Sequence, residues 1–220
     1  MDAVLNIDLD FFTTPPYFGS GFGEKDFRSF SNYQPKTTNW LSVEDFLKKL
    51  NLKQIVRGCS VLETKQLVFY WQKLIDEKYL IPGEFAYVNA SAHCNTYCFV
   101  PKGYYDYLVP SRYNAFDANI YLFRNEWPSK FEWITPDDFS GEILAQHFVN
   151  QRMRSSPKGN IIKLDISKYF DVEMHYSRWR ETDLSEYNWK YISIVMSPTI
   201  CNTETHSQYL QQLMKNISDY

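Results

Sequence analysis

The stretch from Leu5 to Phe12, LNIDLDFF, constrains the fold of this chain more than any other part of the sequence. Its apolar residues follow one another almost without interruption, with Leu5 and Ile7 on one face of an extended chain and Val4 on the other. A strand that is apolar on both faces is typical of the centre of a parallel sheet, because helices cover both sides of such a sheet. We therefore predict a central strand over Ala3 to Asp8.

Two carboxylates stand at the end of this predicted strand, on Asp8 and Asp10. Side chains two residues apart in a strand point to the same side, which predicts that the two carboxylates converge. Carboxylates at one strand end repel each other unless a cation lies between them, and a divalent metal ion is the usual solution. The alternative is that one aspartate caps the following turn while the other is solvated. The motif by itself leaves both interpretations open.

Length, charge and cysteine content exclude several classes of protein. The 220 residues carry no internal repeat or linker, so we predict a single α/β domain over residues 1–220. The net charge of −3 gives no reason to expect nucleic acid or a membrane surface as partner. No run of about 18 apolar residues indicates a membrane span, and the acidic N-terminus is unlike a signal peptide. Four scattered cysteines favour reduced thiols and a cytoplasmic location.

Segments with the pattern of strands alternate with segments of helical periodicity. Beyond the first strand, strands are predicted within Ile55 to Leu62 and over Phe85 to Ala90, Ile161 to Ile166 and Tyr191 to Met196. Helices are predicted over Ser42 to Leu50, Thr64 to Lys78, Phe139 to Arg154 and Thr203 to Ile217. The apolar segment from Asn119 to Phe123 is ambiguous. The alternation predicts a three-layer α/β/α domain with a largely parallel sheet, whose sites form at the carboxyl ends of the strands.

Five short motifs occur in the order that a known family has them, along nearly the whole chain. They cover Asn6 to Phe12, Val68 to Trp71, Val88 to Thr96, Phe116 to Tyr121 and Ile194 to Asn202. In these motifs the chain resembles the peptide arginase family, arginase-like proteins related to the binuclear manganese ureohydrolases. The resemblance implies an arginase-like fold.

The resemblance also implies six metal-ligand positions, and only half of them carry good ligands. The good ligands are Asp8, Asp10 and His93. The degenerate positions, expected to line the same pocket, are Thr64, Ser91 and Asn95. Two dications need several carboxylates to neutralise and bridge them. The expected cofactor is therefore none, or a single divalent metal ion, Mn, Zn or Fe. For His93 a buried, hydrogen-bonded histidine is the alternative.

Asp117 and Asn119 are the substrate-binding positions that the resemblance implies. Asp117 stands where the family has a glutamate and would meet a guanidinium group, although an exposed loop aspartate is the other interpretation. The favoured function is that of a pseudoenzyme, which binds a protein or peptide partner in an immunity-like or regulatory role. The alternative is a metal-dependent, ureohydrolase-like hydrolase with one metal ion, acting on guanidinium or amide groups.

Overall fold

The computed structural model describes residues 1–13, 43–50, 57–63, 66–91, 118–135, 161–165, 171–196 and 203–218. The elements of the first half are β1 (Asp2–Asp8), α1 (Asp10–Thr13), α2 (Val43–Leu50), β2 (Gly58–Glu63), α3 (Leu67–Asp76) and β3 (Phe85–Ala90). Those of the second half are α4 (Ala118–Arg124), β4 (Pro128–Thr135), β5 (Ile161–Asp165), β6 (Asp171–Arg178), β7 (Asn188–Met196) and α5 (Thr203–Ser218). The helix predicted over Phe139 to Arg154 lies outside the described residues.

The described strands form one seven-stranded sheet in the order β2-β7-β1-β3-β4-β6-β5. Six of them run parallel, and β5 joins the edge antiparallel to β6. β1 lies in the interior of the sheet, between β7 and β3. The predictions of a central first strand and a largely parallel sheet are therefore confirmed.

Helices cover both faces of the sheet and make it the middle layer of an α/β/α domain. One core lies under α3 and α4 and contains Val4 and Tyr87 from the sheet and Trp71 from α3. The other core lies under α1, α2 and α5 and contains Leu5 from the sheet and Phe46 from α2. Alternate residues of each inner strand contribute to opposite cores, because side chains of a strand alternate between its two faces.

Two parts of this architecture differ from the sequence predictions. The ambiguous segment Asn119 to Phe123 belongs to α4, whose residues are buried from Ala118 to Phe123. A helix that is buried all round lacks the polar stripe from which helical periodicity is recognised. Strands β4 and β6 lie in stretches for which the sequence predicts no element, since charged residues such as Lys130 and Glu132 interrupt the apolar pattern of β4.

None of the helices in the described part of the chain is both long and apolar enough to cross a membrane.

Candidate functional site

A row of polar side chains crosses the middle of the sheet on the face under α3 and α4. Asn6 of β1 is in register with Asn89 of β3 and with Ser193 of β7. The Ser193 hydroxyl donates a hydrogen bond to Asn6 Oδ1 at 2.7 Å, and Asn6 Nδ2 donates to Asn89 Oδ1 at 2.8 Å. All three residues are fully buried. Their mutual hydrogen bonds offset the cost of burying polar groups and hold Asn6 in one orientation.

A second polar row ends the same strands at the carboxyl edge of the sheet. It consists of Asp8 in β1, Ser91 directly after β3, and Thr135 at the end of β4. Asp8 is 2% exposed, and Ser91 and Thr135 are completely buried. Ser91 extends the ladder to β4, because its backbone N–H donates to the Ile134 carbonyl at 3.2 Å. The row therefore joins one carboxylate to two hydroxyl residues on the next two strands, with neighbouring strands about 4.8 Å apart.

Tyr87, in the core beneath this row, interacts electrostatically with Asp8. Complete burial, and then the negative charge of Asp8, raise the pKa of the Tyr87 hydroxyl well above its usual value. Its ring is edge-on to Trp71, with ring centroids 5.0 Å apart, and stacked on Phe131 at 5.3 Å. The phenol is thus held under α3, protonated at neutral pH and within electrostatic reach of Asp8.

Backbone and side-chain hydrogen bonds also fix the strand ends on either side of Asp8. The indole N–H of Trp133 donates to the Ser91 carbonyl at 2.9 Å, and the Leu9 N–H donates to the Val195 carbonyl at 3.0 Å. The site is therefore built on rigid strand ends, which position side chains more exactly than loops do.

The strand geometry predicted for Asp8 and Asp10 is wrong in one respect. β1 ends at Asp8, and Asp10 is the first residue of the short helix α1. The alternation of a strand therefore does not extend to Asp10, because the chain changes its backbone conformation between the two residues. That the two carboxylates converge stays a prediction.

Four predicted site residues lie outside the described residues: Thr64, His93, Asn95 and Asp117. Asn119 is the second residue of α4, is fully buried, and lies on the same side of the sheet as Asp8, because α4 packs in the core that contains Val4. Within the described ranges no group of three or more histidine, cysteine, aspartate or glutamate side chains is placed to hold a metal ion. The predicted ligand set of Asp8, Asp10 and His93 stays a prediction.

Sequence reasoning missed a second buried carboxylate, Glu132, on the opposite face of β4. The Ser177 hydroxyl donates to Glu132 Oε1 at 3.3 Å, and the Tyr187 hydroxyl donates to Glu132 Oε2. Lys130 Nζ lies 3.7 Å from Glu132 Oε2 and donates to the Tyr187 hydroxyl at 2.7 Å. The one signal in the sequence was the pair of charges, Lys130 and Glu132, two residues apart in an aromatic stretch. These hydrogen bonds connect β4 to Ser177 of β6 and to Tyr187, directly before β7, so we assign Glu132 a structural role.

Comparisons with protein-family models, with curated proteins and with solved structures found no match to this chain. The α/β/α fold consequently rests on the structure itself, and the arginase-like character stays a prediction from the sequence.

Proposed function

We propose that this protein is a pseudoenzyme of arginase-like character, which binds a protein or peptide partner at the carboxyl edge of its sheet. The observation that supports this proposal is the row formed by Asp8, Ser91 and Thr135, in which a single carboxylate is followed by hydroxyl residues on the next two strands. At position 91 the resemblance implies a metal-binding aspartate. A neutral hydroxyl there is a poor ligand for a dication, so the row favours binding over hydrolysis.

The same row suits a cationic group of the partner. Asp8 supplies the negative charge of the row, and hydroxyl oxygens such as those of Ser91 and Thr135 are acceptors for N–H groups. An arginine guanidinium presents five N–H donors in a planar fork, which pairs with a carboxylate through two parallel hydrogen bonds. The proposed partner therefore presents an arginine side chain to this edge, in an immunity-like or regulatory complex. Neither nucleic acid nor a membrane is part of the proposal.

The proposed location is the cytoplasm. Cys59, the cysteine within the described residues, is a free thiol. Burial raises the pKa of this thiol above its ordinary value, which keeps it protonated and unreactive at neutral pH.

The proposal is tested by separating binding from hydrolysis in one preparation. We expect purified, manganese-loaded protein to release neither ornithine nor urea from arginine or from an arginyl peptide. The same protein should bind the labelled arginyl peptide in fluorescence anisotropy, and Asp8→Asn should weaken this binding about tenfold or more, since hydrogen bonds to a charged group are lost. As a control, Asp183→Asn removes a negative charge from an exposed position and should leave the affinity for the peptide unchanged. Release of ornithine by the wild-type protein, lost in Asp10→Ala, would contradict the proposal and show that the protein is a hydrolase.

The second candidate is a hydrolase with a single metal ion, favoured by the position of Asp8 at the carboxyl end of an interior parallel strand. Asp8, Asp10 and His93 would hold the ion, Mn, Zn or Fe, which would supply an activated water. Metal analysis of protein purified without added metal tests this reading. If it holds, Asp10→Ala and His93→Ala each abolish metal content, whereas Ser91→Ala changes it little. A metal-free wild-type protein argues for the binding role instead.

A further inference from the structure

A cavity of about 430 Å³ opens at the amino ends of β2 and β7, at the edge of the sheet opposite Asp8. Its lining residues are Arg57, Tyr70, Lys73, Leu74, Glu77, Tyr79 and Tyr191. We call this cavity the tyrosine pocket. Small-molecule sites in proteins have volumes of roughly 300–1,000 Å³ and combine aromatic walls with a few polar groups. The tyrosine pocket has the size and the lining of such a site.

The position of Tyr79, which forms one wall of the pocket, is set by the turn that ends α3. Lys78 has a φ of 59°, in the left-handed region that residues other than glycine seldom adopt. The turn is closed by two backbone N–H groups, those of Tyr79 and Leu80, which donate to the Leu74 carbonyl at 2.9 Å and 3.1 Å. These bonds form a Schellman ending, a common way for an α-helix to end, so the turn fixes the position of Tyr79 and does not itself indicate a ligand. Here the turn brings the Tyr79 ring to within 6.3 Å of the Tyr191 ring, centroid to centroid.

The two rings offer different surfaces to a ligand. Tyr191 is 7% exposed and forms part of the floor, whereas Tyr79 is 54% exposed and forms the outer wall. Gly58 pairs with Tyr191 in the register of β2 and β7. The absence of a side chain at position 58 makes room for the Tyr191 ring, because a Cβ there would lie 3.3 Å from Tyr191 Cδ1. A planar ring that stacks on Tyr79 would cover an exposed aromatic face, which is a favourable contact beyond the burial of its area.

The charges at the rim select an anion. Lys73 Nζ of α3 lies 3.9 Å from Glu77 Oε1, directly after the helix, in an exposed ion pair. Arg57 is anchored through its backbone N–H, which donates to the Lys190 carbonyl at 2.8 Å. Its guanidinium has no ion-pair or hydrogen-bond partner among the described residues. A guanidinium at the mouth of an aromatic cavity binds a carboxylate or a phosphate through two parallel hydrogen bonds.

We propose that the tyrosine pocket binds a small planar aromatic anion, with its ring against Tyr79 and Tyr191 and its carboxylate or phosphate on Arg57. This site is separate from the carboxyl edge and does not depend on the function proposed for Asp8.

Isothermal titration with four probes tests the proposal: phenylacetate, phenyl phosphate, 2-phenylethylamine and inorganic phosphate. We expect at least one of the two aromatic anions to bind, and the preferred one identifies the anionic group as a carboxylate or a phosphate. The amine has the ring with the opposite charge, and inorganic phosphate has the charge without a ring. Each of these two should bind about tenfold or more weakly than the preferred anion.

Substitutions then assign the binding to this pocket. Arg57→Gln and Tyr79→Ala should each weaken the binding of the preferred anion about tenfold, and Tyr79→Ala changes a side chain that is more than half exposed. Lys48→Gln removes a positive charge from the exposed surface of α2 and should leave the affinity unchanged. Asp8→Asn should also leave it unchanged, which separates this site from the carboxyl edge. The proposal is overturned if neither aromatic anion binds with a dissociation constant below about 10 mM. It is also overturned if Arg57→Gln and Tyr79→Ala bind the preferred anion as tightly as the wild-type protein does.

Discussion

Tyr87 and Tyr187 carry the same hydroxyl group into two different buried environments. The Tyr187 hydroxyl donates to Glu132 and accepts a hydrogen bond from Lys130. The Tyr87 hydroxyl is buried, and within the described part of the chain it has no hydrogen-bond partner. A buried polar group without a partner costs its desolvation, whereas a satisfied one contributes to stability. The two tyrosines should therefore respond in opposite ways to the same substitution.

We expect Tyr187→Phe to lower the free energy of unfolding by about 1–3 kcal/mol, because the buried Glu132 loses a donor and Lys130 loses an acceptor. Tyr87→Phe should leave it unchanged or raise it by up to about 1 kcal/mol, since the lost hydroxyl was buried at a cost. Urea unfolding followed by circular dichroism measures both, and each variant controls for the loss of the oxygen in the other. A larger loss of stability for Tyr87→Phe than for Tyr187→Phe would contradict this account.

Tyr187 also predicts how stability depends on alkaline pH. Burial, and then its hydrogen bond to Glu132, raise the pKa of the Tyr187 hydroxyl far above its ordinary value. The unfolded chain releases this proton near pH 10 while the folded chain keeps it. The contribution of Tyr187 is therefore fully present below about pH 10 and is lost as the pH rises further.

Melting temperatures at pH 8 and pH 11 measure this loss. The wild-type protein should lose stability between the two, at about 1.4 kcal/mol per pH unit for each proton that the fold retains. Tyr187→Phe should show a smaller decrease, although Tyr87 and other tyrosines with raised pKa values also contribute. An equal decrease in both proteins would show that Tyr187 does not keep its proton.

At the scale of elements, the connection from β6 to β7 crosses the sheet and is held by a side chain from α2. Residues 179–187 return from the carboxyl edge to the amino edge and pass three intervening strands, β4, β3 and β1. The connection begins with a turn, in which the N–H groups of Glu181 and Thr182 donate to the Arg178 carbonyl at 2.9 Å and 3.1 Å. Trp179, Leu184 and Tyr187 bury their side chains along the way. Lys49 at the end of α2 fastens the start of the connection, donating to the Trp179 carbonyl at 2.6 Å and to the Arg180 carbonyl.

We expect Lys49→Met to destabilise the protein by about 1–3 kcal/mol, because two backbone carbonyls lose a charged donor while the apolar stem of the side chain is kept. Lys48→Met is the matched control. Lys48 makes an exposed ion pair with Glu44 at 2.9 Å, one turn away, and its loss should cost no more than about 0.5 kcal/mol. Thermal unfolding of the two variants measures the difference. Equal melting temperatures would mean that α2 does not hold the connection.

For the molecule as a whole, the row of Ser193, Asn6 and Asn89 specifies how the central strands align. A slip of one residue in β1 would turn Asn6 into the apolar core under α2 and α5 and leave Asn89 and Ser193 without their hydrogen bonds to it. The buried polar row therefore favours one register of the three strands. It also places Asp8 one row further on, at the edge where the candidate site lies.

Local patterns of the sequence were enough for much of the fold. The apolar runs of β1, β3 and β7 and the amphipathic stripes of α3 and α5 are properties of short segments, so the three-layer arrangement follows from their alternation. The position of Asp8 at a strand end was likewise predicted, and the structure places it at the buried carboxyl end of β1. These features can be predicted without knowing which strands are neighbours in the sheet.

The tertiary structure alone decided what the buried polar groups do. Nothing within β4 itself shows that Glu132 is buried, because its partner Tyr187 lies 55 residues further on. The hydrogen bond between Ser193 and Asn6 joins residues 187 positions apart, and the tyrosine pocket combines Arg57, Tyr79 and Tyr191 from separate parts of the chain. The physical reason is that periodicity within a segment reports which face is buried. Hydrogen-bond partners and cavity walls depend on strand order and register, which are set by contacts between distant segments.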